Sequence, residues 1–306
     1  MLKWISGLLV AFLLVPCIAM ADLTVCFLDV GQGDCAIIEC DGETMIIDGG
    51  LPGQSDKIHA VLEEKHLSRF KYMVATHPDN DHIGGLPAVL EYASVEYVFS
   101  PVKDDEAPRF QTLKNKIKEK KSKIMIPYNN DQEYFLGDAK IIFFNSGREK
   151  KGVTRSVGDW FGSIFAKNKP NEDKANNDIS LVVKITYGET SFLFTGDIEK
   201  DAERRLLDEG ADLHADVLKV AHHGSSSSST DDFLSSVNPQ YAIISCGKGY
   251  GHPNQDTLTK LSKLADLKSL YRTDLQGNIT CHSDGKTITF DEPEKKTQED
   301  VFKAPQ

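Results

Sequence analysis

Four short apolar runs in this chain end in clusters of histidine, aspartate and glycine. The densest is Thr76-His77-Pro78-Asp79-Asn80-Asp81-His82-Ile83-Gly84-Gly85, with four potential metal ligands inside six residues. It lies between an expected strand, residues 72–76, and an expected helix, residues 83–92. A loop there is free of regular structure and can turn imidazoles and carboxylates toward one point. Divalent metals take neutral imidazole nitrogen and carboxylate oxygen. The tandem Gly84-Gly85 lets the helix pack tightly beneath the loop. A chance surface loop seldom carries His and Asp at this density, so a metal site is the expectation.

The other three runs are weaker alone. Phe192-Leu193-Phe194-Thr195-Gly196-Asp197 delivers a carboxylate that can bridge two ions through its two oxygens. Thr-Gly-Asp is also a common turn, and Asp197 reads equally as a helix N-cap. Leu218-Lys219-Val220-Ala221-His222-His223-Gly224-Ser225 ends in adjacent histidines. One can ligate metal while the other meets substrate or a supporting acceptor. Ile46-Ile47-Asp48-Gly49-Gly50 places Asp48 to orient ligands, or simply to make a turn. Gly251-His252-Pro253 and Tyr271-Arg272-Thr273-Asp274 can line the same cleft, with a structural role as open as a functional one.

Strands are expected at residues 23–28, 35–40, 44–47, 72–76, 97–100 and 141–145. A second set falls at 180–186, 191–195, 217–221, 241–245, 269–272, 278–282 and 287–290. Helices are expected at 55–66, 83–92, 110–123, 198–207, 231–237 and 255–264. Each half has several strands and then helices, without clean alternation. That favours an α/β (α+β) chain built as an αββα sandwich, two packed mixed sheets with outer helices, over a doubly wound parallel sheet. Lys114, Lys116, Lys118, Lys120, Lys121 and Lys123 make a basic run, ordinarily a solvated helix face, functionally a contact for a phosphate backbone. Residues 146–177 read as a polar insertion, with Trp160-Phe161 a substrate wall or an anchor to the core. Residues 291–306 read as a disordered, frayed tail.

Residues 1–21 have the form of a cleavable export signal. Lys3 is the positive end, the stretch from Ile5 to Pro16 is apolar, and Ala19-Met20-Ala21 suits cleavage. Lipidation at Cys17 is the alternative, though Pro16 before it fits poorly. No other run reaches the roughly 18 apolar residues of a membrane span, so no stable membrane anchor is expected. Cleavage removes Lys3 alone and takes the formal charge from -11 to -12. So acidic a chain repels nucleic acid at long range, leaving only a local basic strip to hold it. Cleavage leaves Cys26, Cys35, Cys40, Cys246 and Cys281, an odd number that leaves at least one thiol without a partner in the chain. One or two disulfides, or buried free thiols, are both open.

Together these residues resemble the metallo-β-lactamase superfamily. The likeness is closer to the hydrolase domain of ComEC-type DNA-uptake proteins. It is carried by Phe27-Leu28-Asp29-Val30-Gly31-Gln32-Gly33-Asp34, the His77 to Gly85 run, Asn177-Asp178-Ile179-Ser180-Leu181-Val182, Thr195-Gly196-Asp197, His222-His223-Gly224-Ser225, Gly251-His252-Pro253 and Tyr271-Arg272-Thr273-Asp274 with Gly277. It spans most of residues 23–290. The resemblance implies the αββα sandwich and a nuclease-like activity of the kind thought to degrade one DNA strand during uptake. The wider superfamily has His-x-His-x-Asp-His where this chain has Asp79 in place of the second His. It also has a His where Asn177-Asp178 stands here. Oxygen-richer sites favour harder ions. The expected cofactor is therefore one or two divalent ions, Mn²⁺ or Zn²⁺, with Mg²⁺ the alternative.

The expected metal ligands are His77, Asp79, Asp81, His82, Asp197 and His222. Asp79, Asp81, His223 and His252 are the expected catalytic groups, and Asp48, Asn177, Ser225 and Arg272 are expected to support ligands or touch substrate. The implied chemistry is phosphodiester hydrolysis of DNA by metal-activated water, Asp79 or a neighbouring carboxylate taking the proton and His223 or His252 serving the phosphate or leaving oxygen. Two rivals stand beside it. One is a phosphoesterase acting on a small molecule or surface polymer. The other is a metal-binding protein of this fold without turnover.

Overall fold

The computed structural model describes residues 22–130, 132–147, 177–291 and 297–305. The export signal, Cys17 and the Trp160-Phe161 patch lie outside the described residues.

The apolar runs form strands in two sheets. The first contains β1 (Leu23–Phe27), β2 (Ala36–Cys40), β3 (Glu43–Ile47), β4 (Arg69–Val74), β5 (Ser94–Phe99) and β6 (Lys123–Met125). The second contains β7 (Tyr134–Leu136), β8 (Ala139–Phe144), β9 (Val182–Tyr187), β10 (Thr190–Phe194), β11 (Val217–Lys219), β12 (Tyr241–Ile244) and β13 (Ser269–Arg272). The chain then returns to the first sheet as β14 (Ile279–Ser283) and β15 (Ile288–Phe290). The orders are β15-β14-β1-β2-β3-β4-β5-β6 and β13-β12-β11-β10-β9-β8-β7.

Each sheet is antiparallel at one side and parallel at the other. Pairing is antiparallel from β1 to β3 and parallel from β3 to β6. It is antiparallel from β7 to β10 and parallel from β10 to β13. Parallel neighbours need crossover connections, usually helical. Ser55–Glu64, Leu86–Tyr92 and Pro108–Glu119 serve the first sheet, and Lys200–Asp208, Asp231–Val237 and Gln255–Leu261 the second. Three apolar layers hold this together. One lies between the sheets, around Phe27, Val74, Phe143 and Phe192. The others lie under each set of helices. This is the expected αββα sandwich.

Helix Pro108–Glu119 shows how sequence sets each layer. Proline at its start needs no hydrogen-bond acceptor. Phe110, Leu113 and Ile117, at helical spacing, are its buried residues. The lysines lie outside, where Lys114 meets Asp104 at 2.6 Å and Lys116 meets Glu91 at 3.1 Å. Part of the basic run is thus already neutralised by carboxylates.

Three local expectations need correction, and one left open is decided. The helix expected over residues 83–92 is two pieces, Asn80–Ile83 and Leu86–Tyr92. The break falls where Pro87 has no N–H to bond back to Ile83, and Gly85 packs so closely there that a Cβ would lie 2.1 Å from the Gly49 carbonyl oxygen. Strands β6 and β7 were not anticipated, because three residues carry no period. The five described cysteines are all buried and free, so no disulfide forms among them. Finally, the tail does not fray throughout. Helix Gln298–Val301 packs against β13, and Val301 is fully buried.

Arg272 explains that docking and corrects its own assignment to substrate. Its guanidinium grips Asp274 with two hydrogen bonds, 3.0 and 2.7 Å, and donates to the carbonyls of Val301 and Lys303. With Arg272 only 1% exposed, the side chain is a buried clasp, not a ligand contact. Arg272→Ala leaves the buried Asp274 carboxylate with no cation, bonded still to the Cys246 thiol, and removes the Arg272 donor from two carbonyls. It is expected to lower stability by about 3–5 kcal/mol in urea denaturation.

Candidate metal centre

The functional side chains sit at the carboxyl ends of the parallel strands, the edge where open α/β sheets bind ligands. Asp48 follows β3, Thr76 and His77 follow β4, Asp197 follows β10, His222 and His223 follow β11, and Ser245 follows β12. Because β3 and β4 belong to one sheet and β10 to β12 to the other, the cluster spans the top of the sandwich. The loop after β1 closes it from beneath. A Cβ on Gly33 would lie 2.1 Å from the Asp81 carbonyl oxygen, so only glycine admits this approach. The chain there also bonds Asp34 N to that oxygen, at 3.2 Å.

Asp48 is the hub. It is fully buried and accepts from Thr76 N at 2.8 Å, Thr76 Oγ1 at 2.7 Å and His82 Nδ1 at 2.8 Å. Thr76 Oγ1 gives its proton to Asp48, so it accepts from His77 Nδ1 at 3.1 Å. His223 Nδ1 donates to the Ser245 carbonyl at 2.9 Å. All three imidazoles are thereby fixed in one tautomer, Nδ1 occupied and Nε2 unprotonated when neutral. Holding the far nitrogen is how proteins present a histidine to metal.

The free nitrogens converge with two carboxylates. His77, His82 and Asp197 offer ligand atoms within 4.8 Å of one another, and so do Asp81, His82 and His223. His82 Nε2 lies 3.2 Å from Asp197 Oδ1, and His223 Nε2 lies 3.2 Å from Asp81 Oδ2. Yet the Nε2 atoms of His77, His82 and His223, with Asp197 Oδ1 and Asp34 Oδ1, are buried without a hydrogen bond. Buried polar atoms in folded proteins are nearly always satisfied. Four of these, the three Nε2 atoms and Asp197 Oδ1, are aimed into one small volume and fit a divalent cation, while Asp34 Oδ1 lies behind His223, 3.3 Å from its Nδ1.

The electrostatics agree. Burial works to lower the pKa of His223, but Asp197, Asp34 and Asp81 outweigh it and raise the value to about 10. Burial opposes charge on His82 as well, and Asp197 and Asp48 lift it well above the usual value. His77 goes the other way, to about 4, through burial and the charge of His82. Burial pushes Asp81 and Asp197 up, but His223 and His82 hold both far below the normal carboxylate range. The cluster is an anionic pocket that collects positive charge, whether protons or a metal.

The histidine pair is resolved by geometry. His223 is 1% exposed and belongs to the cluster. His222 stands at the rim, with Nδ1 on Ser227 Oγ at 3.1 Å and Nε2 3.8 Å from Asp197. Both residues, and Asp48, have φ near +50°, at 49°, 54° and 56°. Such conformations cost about 1–3 kcal/mol and gather at functional sites.

Other expected residues land as follows. Asp79 lies 3.7 Å from His77 Nε2 but gives Oδ1 to Arg109 at 3.0 Å, and it is in neither ligand group. Asn177 donates to Glu199 at 3.2 Å and does not reach the ligands. Ser225 faces Ser227 at 3.0 Å, and its carbonyl accepts from Thr257, so it is part of a turn. His252 stands over the histidine pair, its ring 5.8 Å from His222 and 6.4 Å from His223. Burial and those two rings lower its pKa. An open cleft of about 370 Å³ is lined by Asp81, His222, His223, His252 and Tyr250 among others.

Sequence reasoning missed several participants. Lys219 and Asp34 form a buried ion pair at 2.8 Å beneath His223. A lone lysine inside the apolar run Leu218-Lys219-Val220-Ala221 was the available signal. Arg109, the one arginine in a lysine-rich helix, was another. Thr76 and Glu199 had none.

The pattern of a metallo-β-lactamase domain matches residues 28–154 and 177–248. The chain belongs to the metallo-β-lactamase superfamily. Its fold binds divalent metals, usually one or two, and its members are typically metal-dependent hydrolases. The chain is 27% identical to ComE operon protein 3 of Bacillus subtilis, over 90% of this chain and 35% of that one. It is 26% identical to competence protein ComA of Neisseria gonorrhoeae, over 82% and 31%. It spans about a third of the length of each. Among solved structures, the metallo-β-lactamase fold protein YhfI from Bacillus subtilis covers 86% of this chain at 14% identity, with a TM-score of 0.53. That likeness shows the fold.

Two outcomes follow. Asp48→Ala releases His82 and Thr76 together, and Mn²⁺ affinity by titration calorimetry is expected to fall about 10–100-fold. His223→Ala is expected to cost more than that, and His222→Ala less. Second, imidazoles must be neutral to ligate. With His223 at about 10 and His82 raised, metal uptake near neutral pH is expected to release one to about two protons, read from the buffer dependence of the binding heat.

Proposed function

We propose that this superfamily member is a phosphodiesterase acting on DNA. The observation that carries the reading is the set of three tethered imidazoles whose free nitrogens meet Asp81 and Asp197 on an open cleft. The motif likeness to ComEC-type hydrolase domains, and the identity to competence proteins, supply the choice of DNA. A divalent ion at this site supplies a Lewis acid, lowering the pKa of water to about 7 and drawing charge from phosphoryl oxygens. His77, His82, His223, Asp81 and Asp197 would hold it, with Asp197 placed to serve two positions. Donors of both nitrogen and oxygen suit Mn²⁺ or Zn²⁺, with Mg²⁺ the alternative.

The chain's own groups divide the remaining work. Asp79, poised by Arg109 beside His77, is positioned to accept the proton of an attacking water. His252, across the cleft from the ligands, can hold a phosphate oxygen or give a proton to the leaving oxygen. His222 at the rim offers a second contact for phosphate. Lys118 and Lys121, on the solvent face of their segment, can steer a polyanion despite the acidic total.

Residues 1–21 support export, with cleavage near Ala21. No described helix is long and apolar enough to cross a membrane. N-terminal sequencing of protein recovered outside the cytoplasm is expected to begin at Asp22.

The test of activity is hydrolysis of single- and double-stranded DNA by the purified chain with Mn²⁺, Mg²⁺ or Zn²⁺. Cleavage is expected with at least one ion and is expected to vanish in Asp81→Ala. Intact DNA with every ion, from folded and metal-loaded protein, moves the reading to a phosphoesterase on a small ester. No turnover on any ester moves it to metal binding alone.

A further inference from the structure

We infer that the cleft takes a single unpaired nucleotide, its base against Tyr250, so that the chain acts on single-stranded nucleic acid. The inference rests on the phosphodiesterase reading and specifies its substrate.

Three observations carry it. The first is shape. The cleft of about 370 Å³ sits at the low end of the roughly 300–1,000 Å³ typical of small-molecule pockets. That is room for one nucleotide unit. A base inside a duplex reaches such a pocket only by leaving its stack, at a cost of a few kcal/mol.

The second is the mixture of chemistry that lines the cleft. Asp81 and His223 are among its lining residues, and the scissile phosphate belongs beside them. Leu51 and Tyr250 supply apolar and aromatic surface, and Gln32 and Asn80 supply amides. An aromatic ring with nearby amides is what a nucleobase needs: a face to stack on and partners for its edge. No part of the phosphate chemistry calls for Tyr250. It is nevertheless 56% exposed, one of three exposed large hydrophobic side chains among the described residues.

The third is how the Tyr250 segment is held. At one end, Gly247 N bonds to Gln32 Oε1 at 3.2 Å, and a Cβ there would lie 2.2 Å from Gln32 N. At the other, Asn254 N bonds to the Gly224 carbonyl at 2.9 Å, next to His223. Both anchors belong to the site itself. Between them Tyr250 is flanked by Gly249 and Gly251, with φ of 86° and 76°. The tip is a firmly rooted arm that presents one ring, and its two glycines let that ring tilt to meet bases of different size. Stacking accepts every base, because each has a π face. The expected specificity is therefore for strandedness, not for sequence.

The experiment compares a short oligothymidylate, its duplex with oligoadenylate, and an oligomer of the same length with every base removed. Wild-type chain is expected to cleave the single strand faster than the duplex or the abasic oligomer. Tyr250→Ala is expected to lose about 5- to 150-fold in kcat/KM on the oligothymidylate and little on the abasic oligomer. Tyr250→Trp is expected to keep the base-dependent advantage. Equal loss on both oligomers, no loss, or a wild-type enzyme indifferent to strandedness overturns the inference while leaving the phosphodiesterase reading intact. If no ion gives cleavage, that reading fails separately, and anisotropy of the labelled oligomers still decides. Tighter binding of oligothymidylate than of the abasic oligomer, by a margin lost in Tyr250→Ala, keeps the stacking. Equal binding ends it.

Discussion

The structure is organised around the difficulty of keeping four carboxylates and three imidazoles inside a protein. Asp34, Asp48, Asp81 and Asp197 all lie within reach of His82 or His223. Removing a carboxylate from water costs several kcal/mol unless charge or hydrogen bonds replace the solvent. Here each has its own compensation. Asp48 has three donors, Asp34 has the Lys219 ammonium, and Asp81 and Asp197 have imidazoles that either carry protons or yield to a metal. The centre thus balances its carboxylates with imidazoles that carry protons or yield to a cation.

That demand explains features that look like defects in isolation. Left-handed backbone at Asp48, His222 and His223 and a glycine pressed against a carbonyl at Gly33 each cost conformational freedom or steric ease. They are supported because the two sheets meet there. The first sheet contributes Asp48, His77, Asp81 and His82, and the second contributes Asp197 and His223. Neither half carries a complete ligand set, so packing of the inter-sheet layer around Phe143 and Phe192 and assembly of the centre are one event.

Much of this was legible in the sequence. The ligand loop, Asp197, the histidine pair and the αββα layering follow from apolar runs that end in polar clusters, because strand ends and metal ligands both leave local signals. Asp48 as an orienting group was readable for the same reason. What escaped has a physical cause. Asp79 turns to Arg109, which lies thirty positions away in a helix whose lysines masked it. Arg272 ends a strand just as the ligands do, but its partners Val301 and Lys303 come from a tail that composition alone made look loose. The choice between His222 and His223 depends on which imidazole can reach the Ser245 carbonyl, a contact between strands that are adjacent in space only.

The docked tail has a second effect, on the rim of the sandwich. Open sheets leave edge strands whose unpaired amides invite another chain to add on. Here β6, β7 and β15 have only three residues each, too short a template for stable pairing. Strand β13 is one residue longer, parallel to its neighbour, and has helix Gln298–Val301 packed against it. The clasp at Arg272 therefore does more than add stability. It ties the end of the described chain to the fourth edge strand, so the strand that is least short is also the one with a helix packed against it.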